Sequence, residues 1–205
     1  DLVEPLKESE INDLPKRDER DQSLELETKA YLISDISDVI NPDPDAFYWD
    51  TYRNKLTAAI NHVIEIEGPI EQEVLIRRIK EAHGFRKAGR HIREAIMNAL
   101  PKSTKGTEFN DYVFFWPTKV APENWNKDRF PLESSDDSKK RKYDEVAPEE
   151  LAAIGAVACR NKPALSPTQE AKEISRYLGW QKCSIKASEH IAACVEVALN
   201  KRKLD

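Results

Sequence analysis

The residues with the clearest chemical potential in this chain are basic. Between positions 77 and 105 stand Arg77, Arg78, Lys80, Arg86, Lys87, Arg90, Arg93, Lys102 and Lys105, against only Glu81 and Glu94, a local net charge of +7. Such a cluster is the footprint of a surface that binds a polyanion. Arg86, Arg90 and Arg93 fall at i, i+4 and i+7, with Lys87 alongside, so one helix would carry them as a stripe. An arginine fork pairs bidentately with a phosphate or a guanine edge. Lys80, Lys102 and Lys105 would add phosphate contacts from the flanks.

Catalytic and metal chemistry find less to work with. Cys183, His190 and Cys194 have a C-x6-H-x3-C spacing. A structural zinc site needs four ligands, usually including a C-x2-C pair, so a buried thiol on an apolar helix face is the better reading. His62, His83 and His91 are scattered, and Asp43, Asp45, Glu65 and Glu67 lack the further residues of a metal-dependent nuclease. No Ser-His-Asp arrangement emerges. The chain has six glycines. None forms a dinucleotide fingerprint, and the closest approach to a phosphate loop, Gly84 to Gly89, continues Arg90-His91 rather than Lys-Ser/Thr. The chain reads as non-catalytic, with no cofactor and no metal.

Composition sets the frame for these residues. The chain has 205 residues, 40% hydrophobic and 34% charged, with a net charge of −5. That permits one large domain or two small ones around a lean core. The first fifty residues carry fifteen acids and five bases. An acidic segment of this kind could fold over the basic face, an autoinhibitory or purely structural alternative to nucleic-acid binding. Three cysteines exclude a disulfide scaffold and fit a reducing, cytoplasmic setting. No apolar run approaches the ~18 residues of a membrane span. The chain opens at Asp1 without Met and looks like a piece of something longer.

The elements that must position the basic cluster follow from periodicity. Residues 1–40 read as an acidic, partly disordered lead-in, with a short strand or docking segment near 29–40. After the turn cluster at 41–45 comes the aromatic trio Phe47-Tyr48-Trp49. Leu56, Ala59, Ile60, Val63 and Ile64 make the stripe of an amphipathic helix ended by Gly68-Pro69. A second helix is expected over about 71–82, closed by His83-Gly84, and a third over about 87–100, stopped by Pro101. Residues 102–110 are polar, and Asp111 to Pro117 reads as an aromatic strand. Three helices followed by a strand give residues 41–117 the order of a winged helix-turn-helix. Residues 118–145 read as a charged linker, including the KKRK run at 139–142. Helices near 147–159, 168–178 and 184–200 complete a second unit over 146–205. The expected fold is therefore mainly α with a small β-wing, as two tandem helix-turn-helix-like units.

The two units look like copies. At an offset of 95, Ile70 falls on Leu165, Ile79 on Ile174, Gly84 on Gly179, Phe85 on Trp180, Lys87 on Lys182 and Ile96 on Ile191. One turn is thus built twice: a glycine leaves the second helix, and the aromatic beside it plugs the core. The second copy has no evident wing, and its bases Lys172, Arg176, Lys182 and Lys186 are offset by Glu170, Glu173 and Glu189.

Further motifs in the first unit carry a family resemblance. They are Phe47-Tyr48, Glu67-Gly68-Pro69-Ile70, Arg77-Arg78-Ile79, Gly84-Phe85 with Gly89 and Ile92, Phe115-Trp116-Pro117, and Pro122-Glu123-Asn124-Trp125. Together they resemble a bacterial domain of unknown function found near the C-terminus of very large superfamily-1 helicase-like proteins. The resemblance covers about residues 40–200. It implies a parent with helicase motor motifs upstream, none of which lies in this chain, and action on DNA. The expected role is a non-catalytic accessory module, binding DNA through the third helix and adjoining the motor domains of its parent. The alternative is a protein-interaction or regulatory module that docks on the motor or on a partner subunit.

Overall fold

A computed structural model describes residues 27–130, 140–162 and 164–204. The fold is mainly α with a small sheet. The first helical triplet comprises α1 (Arg53–Glu67), α2 (Gln72–Ala82) and α3 (Arg90–Asn98), with the two-residue strand β2 (Ile70–Glu71) between α1 and α2. The hairpin β3 (Lys105–Phe109) and β4 (Tyr112–Trp116) follows. The second triplet comprises α4 (Pro148–Ala158), α5 (Pro167–Tyr177) and α6 (Ile185–Leu204).

The helices of the two triplets start 95 residues apart in every case: 53 and 148, 72 and 167, 90 and 185. The caps repeat as well. Glu71 caps α2 by accepting from the Glu73 and Val74 amides, and Ser166 caps α5 by accepting from the Gln169 amide. Gly84 and Gly179 leave their helices at φ +74° and +72°. The Phe85 amide donates to the Lys80 carbonyl and the Gly84 amide to that of Glu81, both at 2.9 Å. Trp180 bonds Ser175 at 3.0 Å and Gly179 bonds Arg176 at 3.1 Å in the same pattern. This paired bonding closes a helix over a left-handed residue, a conformation glycine adopts without a Cβ penalty. Phe85 and Trp180 are half-buried, each packed against the core of its own triplet.

The hairpin does two jobs. β4 is the centre of a three-stranded antiparallel sheet ordered β2-β4-β3. Its turn is the pair Asn110-Asp111, with Asn110 at φ 53° as tight two-residue hairpin turns require. Val113 and Phe115 face the first core, beside Ile70, Ile79 and Ile96. Phe114 and Trp116 point the opposite way and pack with Trp125, Ala147 and Ala153 against the second triplet. Side chains alternate along a strand, so burial of both faces explains why Tyr112–Trp116 is an unbroken apolar run. Tyr112 and Phe109 also meet the His190 ring of α6 edge-on, at centroid distances of 5.5 and 5.6 Å.

The two segments expected to be loose belong in part to the folded body. Lys127–Phe130 forms β5, which pairs in parallel with β1 (Glu27–Ala30). Tyr31, Ile36 and Ile40 are buried behind β1, and Trp125, Asp128, Arg129 and Arg141 are buried in the stretch expected as a linker. Residues 1–26, with most of the acidic lead-in, and 131–139 lie outside the described residues.

Candidate nucleic-acid interface

The predicted arginine stripe is not one helical face. α3 begins at Arg90, with Gly89 as its N-terminal flanking residue. Arg86 and Lys87 precede it in the turn after Gly84, where both are exposed. A glycine-led turn and the extended Gly89 hold these residues out of the helix that simple periodicity would extend to 87. Arg90 is 85% exposed and pairs with Glu94 one turn on, at 2.6 Å. Arg93 turns back, binding Glu73 of α2 and the Ala88 carbonyl. Its role is to tie the third helix to the second.

Five of the nine bases between 77 and 105 have an acidic partner. Besides Arg90 and Arg93 these are Arg77 with Glu145 at 2.9 Å, Arg78 with buried Glu67 at 3.0 Å, and Lys80 with Glu81 at 3.4 Å. Arg86, Lys87, Lys102 and Lys105 are exposed and have no acidic partner among the described residues. Arg86 and Lys87 sit at the entry to α3, Lys102 follows its C-terminal end, and Lys105 opens β3. The outward face of α3 between them is Arg90, His91, Glu94 and Asn98, while Ile92 and Ile96 are buried beneath. The surface is thus cationic at its ends and nearly neutral along the helix.

Beneath this surface the sequence hid a second arrangement. Glu67 ends α1 with its carboxylate fully buried. It accepts from the Tyr31 hydroxyl at 2.6 Å, from the Ser34 amide and hydroxyl at 3.1 and 2.7 Å, and from Arg78. Burial, and then the neighbouring Glu67 charge, push the Tyr31 phenol above its ordinary range. Glu150, fully buried on α4, accepts two bonds from Arg129 and two from Arg141. Burial alone would favour its neutral form, but the attraction of Arg129 and then Arg141 prevails and holds its pKa at about 2. Arg129 also donates to the carbonyls of Glu67, Gly68 and Pro69 at 2.6, 3.0 and 3.0 Å. Those carbonyls lie at and beyond the C-terminus of α1, where a cation complements the helix dipole and satisfies acceptors that have no partner in the helix. Gly68 is required there, because a Cβ would meet the Ile64 carbonyl at 2.4 Å and Pro117 at 2.7 Å.

Arg129 and Arg141 stack over the Tyr31 ring at 5.0 and 4.1 Å. One buried cluster therefore joins the segment that follows β1, both helical triplets and β5. The available signal was two glutamates on α4, whose remaining residues are almost all apolar, and two arginines in a stretch poor in apolar residues. Neither spacing points to the other.

A family model for proteins of unknown function, DUF3320, matches residues 45–94. The match runs from the aromatic trio through α1, β2 and α2 into α3. No curated protein and no solved structure matches the chain.

Proposed function

We propose that this chain is a non-catalytic module of a larger helicase-like protein. On this reading each triplet is a helix-turn-helix-like unit, the first is winged by β3–β4, and the first engages duplex DNA. The observation that carries the proposal is the set of exposed cations without acidic partners among the described residues, Arg86, Lys87, Lys102 and Lys105, placed around the entry and exit of α3. Arg90 joins them, because its partner Glu94 is itself about half exposed and an exposed pair exchanges easily. Lys80 and Arg93 are held by Glu81 and Glu73 and contribute through the fold. The link to a helicase parent rests on the motif resemblance described above, and the match over residues 45–94 is compatible with it.

The surface offers phosphate contacts more than base readout, so affinity should fall steeply with salt and vary little with sequence. The test is a salt-titrated binding measurement on a duplex of about 20 base pairs, a length that spans one helix-turn-helix footprint. Triple reversal R86E/K87E/R90E should weaken every duplex alike and flatten the plot of log K against log salt by about 3, near one per lost phosphate contact. The melting temperature should barely move, since the three side chains face solvent. Absence of duplex binding by the wild-type chain at low salt would sink the proposal.

One feature favours the rival reading of a docking module. Tyr48 and Trp49 are 56% and 61% exposed beside a small pocket that also includes Arg53 and Asn98. Exposed aromatics of this kind anchor protein contacts. On that reading W49A loses capture of the motor domains or of a partner subunit, while duplex binding is absent from the start.

A further inference from the structure

The turn repeated in the second triplet faces a cleft of about 350 Å³. Lys142 and Tyr143 lie on one wall, and Trp180 and Lys182 on the other. No lining residue is acidic. Behind it lies Arg141, whose charge is met by the buried Glu150 and, further off, by Glu145. Trp180 is fixed in position by its indole N–H, which donates to the Arg141 carbonyl at 2.7 Å, and its ring remains half-exposed.

The two turns differ in what stands beside their aromatics. In the first triplet, Phe47 is buried and meets the Phe85 ring edge-on at 5.0 Å, filling the space beside the turn. Ninety-five residues on in the sequence, Lys142 stands at the position of Phe47 and Trp180 at that of Phe85. The second turn keeps the glycine and carries the larger aromatic, with the half-buried Tyr143 packed beside Trp180 on the second core. The cleft lies at the lower end of the roughly 300–1,000 Å³ that accommodates small organic groups.

We propose that this cleft binds single-stranded nucleic acid, with Lys142 and Lys182 on the backbone phosphates and one base against the Trp180 ring. A cationic groove with an aromatic platform suits a strand whose bases are free to stack on protein. A duplex stacks its bases internally, presents no free base face to Trp180, and is too wide to enter a cleft of this size. The site is separate from the surface around α3, and each can fail without the other.

The test uses the whole chain and a fluorescent oligo-dT of about twelve nucleotides, within the ~4–16 nucleotides one such groove covers. An abasic strand of equal length and a short duplex run beside it at low salt. Oligo-dT should bind roughly tenfold tighter than the abasic strand, because the lost stack is the only difference between them. K142E/K182E should weaken oligo-dT roughly tenfold and leave duplex affinity unchanged, whereas R86E/K87E/R90E should do the reverse. Oligo-dT should quench tryptophan emission in the wild type, and W180F should lose most of that quenching while keeping a ring in the core. The charge-reversal pair alters exposed side chains only, so it reads the site even if substitution at Trp180 disturbs packing. Equal binding of abasic and dT strands, competition by polyglutamate as effective as by oligo-dT, or full affinity in K142E/K182E would overturn the proposal. Loss of duplex binding with oligo-dT binding intact would instead overturn the reading of the α3 surface alone.

Discussion

Replacing Glu150 by Gln should be among the most damaging single changes this protein can suffer, even though it removes no volume. The carboxylate has no exposed surface and accepts two bonds from Arg129, at 2.9 and 2.5 Å, and two from Arg141, both at 2.8 Å. A glutamine keeps one acceptor oxygen but turns an amide N–H2 towards a guanidinium and cancels no charge. Two buried arginines are then left without their counter-ion, and breaking a buried pair from one side costs about 3–5 kcal/mol. For a domain of about 150–250 residues each kcal/mol moves the melting temperature by roughly 2–4 °C, so a fall of roughly 6–20 °C is expected. R141M should cost less, about 1–3 kcal/mol, because Glu150 keeps Arg129. R129M/R141M/E150L should recover only part of the loss, since it removes the buried charges together but leaves the Glu67, Gly68 and Pro69 carbonyls without the donor Arg129 supplies. The Glu150 pKa, held near 2, adds a pH signature. A carboxyl depressed in the folded state contributes stability that is present above its ordinary range and fades as pH falls towards 2. E150Q should lack that acid-side loss. The assay is thermal unfolding by circular dichroism across a pH series. A Gln variant melting within about 2 °C of wild type, less than a single kcal/mol, would refute the account of the cluster.

Two further outcomes are expected. Glu71 caps α2 from a buried position, and burial raises its pKa to about 7, so the folded protein holds a proton that the unfolded chain releases at an ordinary carboxylate pKa. Stability should therefore decline as pH rises from about 4.5 to about 7, and E71Q should flatten that slope in the same melting series. G84A and G179A should each destabilise by about 1–2 kcal/mol through left-handed backbone strain. Nothing lies within 4 Å of a Cβ at Gly84, so the effect there is conformational and not steric; a melt unchanged in either variant would contradict the shared geometry of the two turns.

How much of this was legible in the sequence varies with the physics involved. The repeated turn was readable because it rests on glycine. Only a residue without a Cβ leaves a helix cheaply at positive φ, so Gly84 and Gly179 fixed one register and the aromatics beside them confirmed it. Helix ends were readable to within a few residues from caps and prolines. The start of α3 was not, because Arg86 and Lys87 suit a helix locally and are kept from it by the turn before them. β3 carries no strand signal in the sequence, because Lys105, Gly106 and Glu108 face solvent and no apolar alternation marks the segment. The parallel pairing of β1 with β5 left no sequence signal, since each strand has only four residues and is charged. Buried ion pairs are equally opaque. Arg129 and Arg141 look solvated until Glu67 and Glu150 are brought to them by folding, and the basic patch appeared larger than it is for the same reason, with Arg77 and Arg78 spent on internal partners.

The pairing of β1 with β5 also bears on the order in which the molecule assembles. Each residue of Glu27–Ala30 meets its partner one hundred positions later in the chain. At a synthesis rate of roughly 5–20 residues per second, the early strand waits about 5–20 s for the later one to be made. Over that interval α1 to α3 and the hairpin can form, but Glu67 has no Arg129 beside it and the C-terminus of α1 lacks its cation. The helix ends, the strand pair and the arginine cluster must then close together as one late, long-range step. Loop-closure entropy makes such steps slow, so refolding should be limited by this clasp and not by either helical triplet.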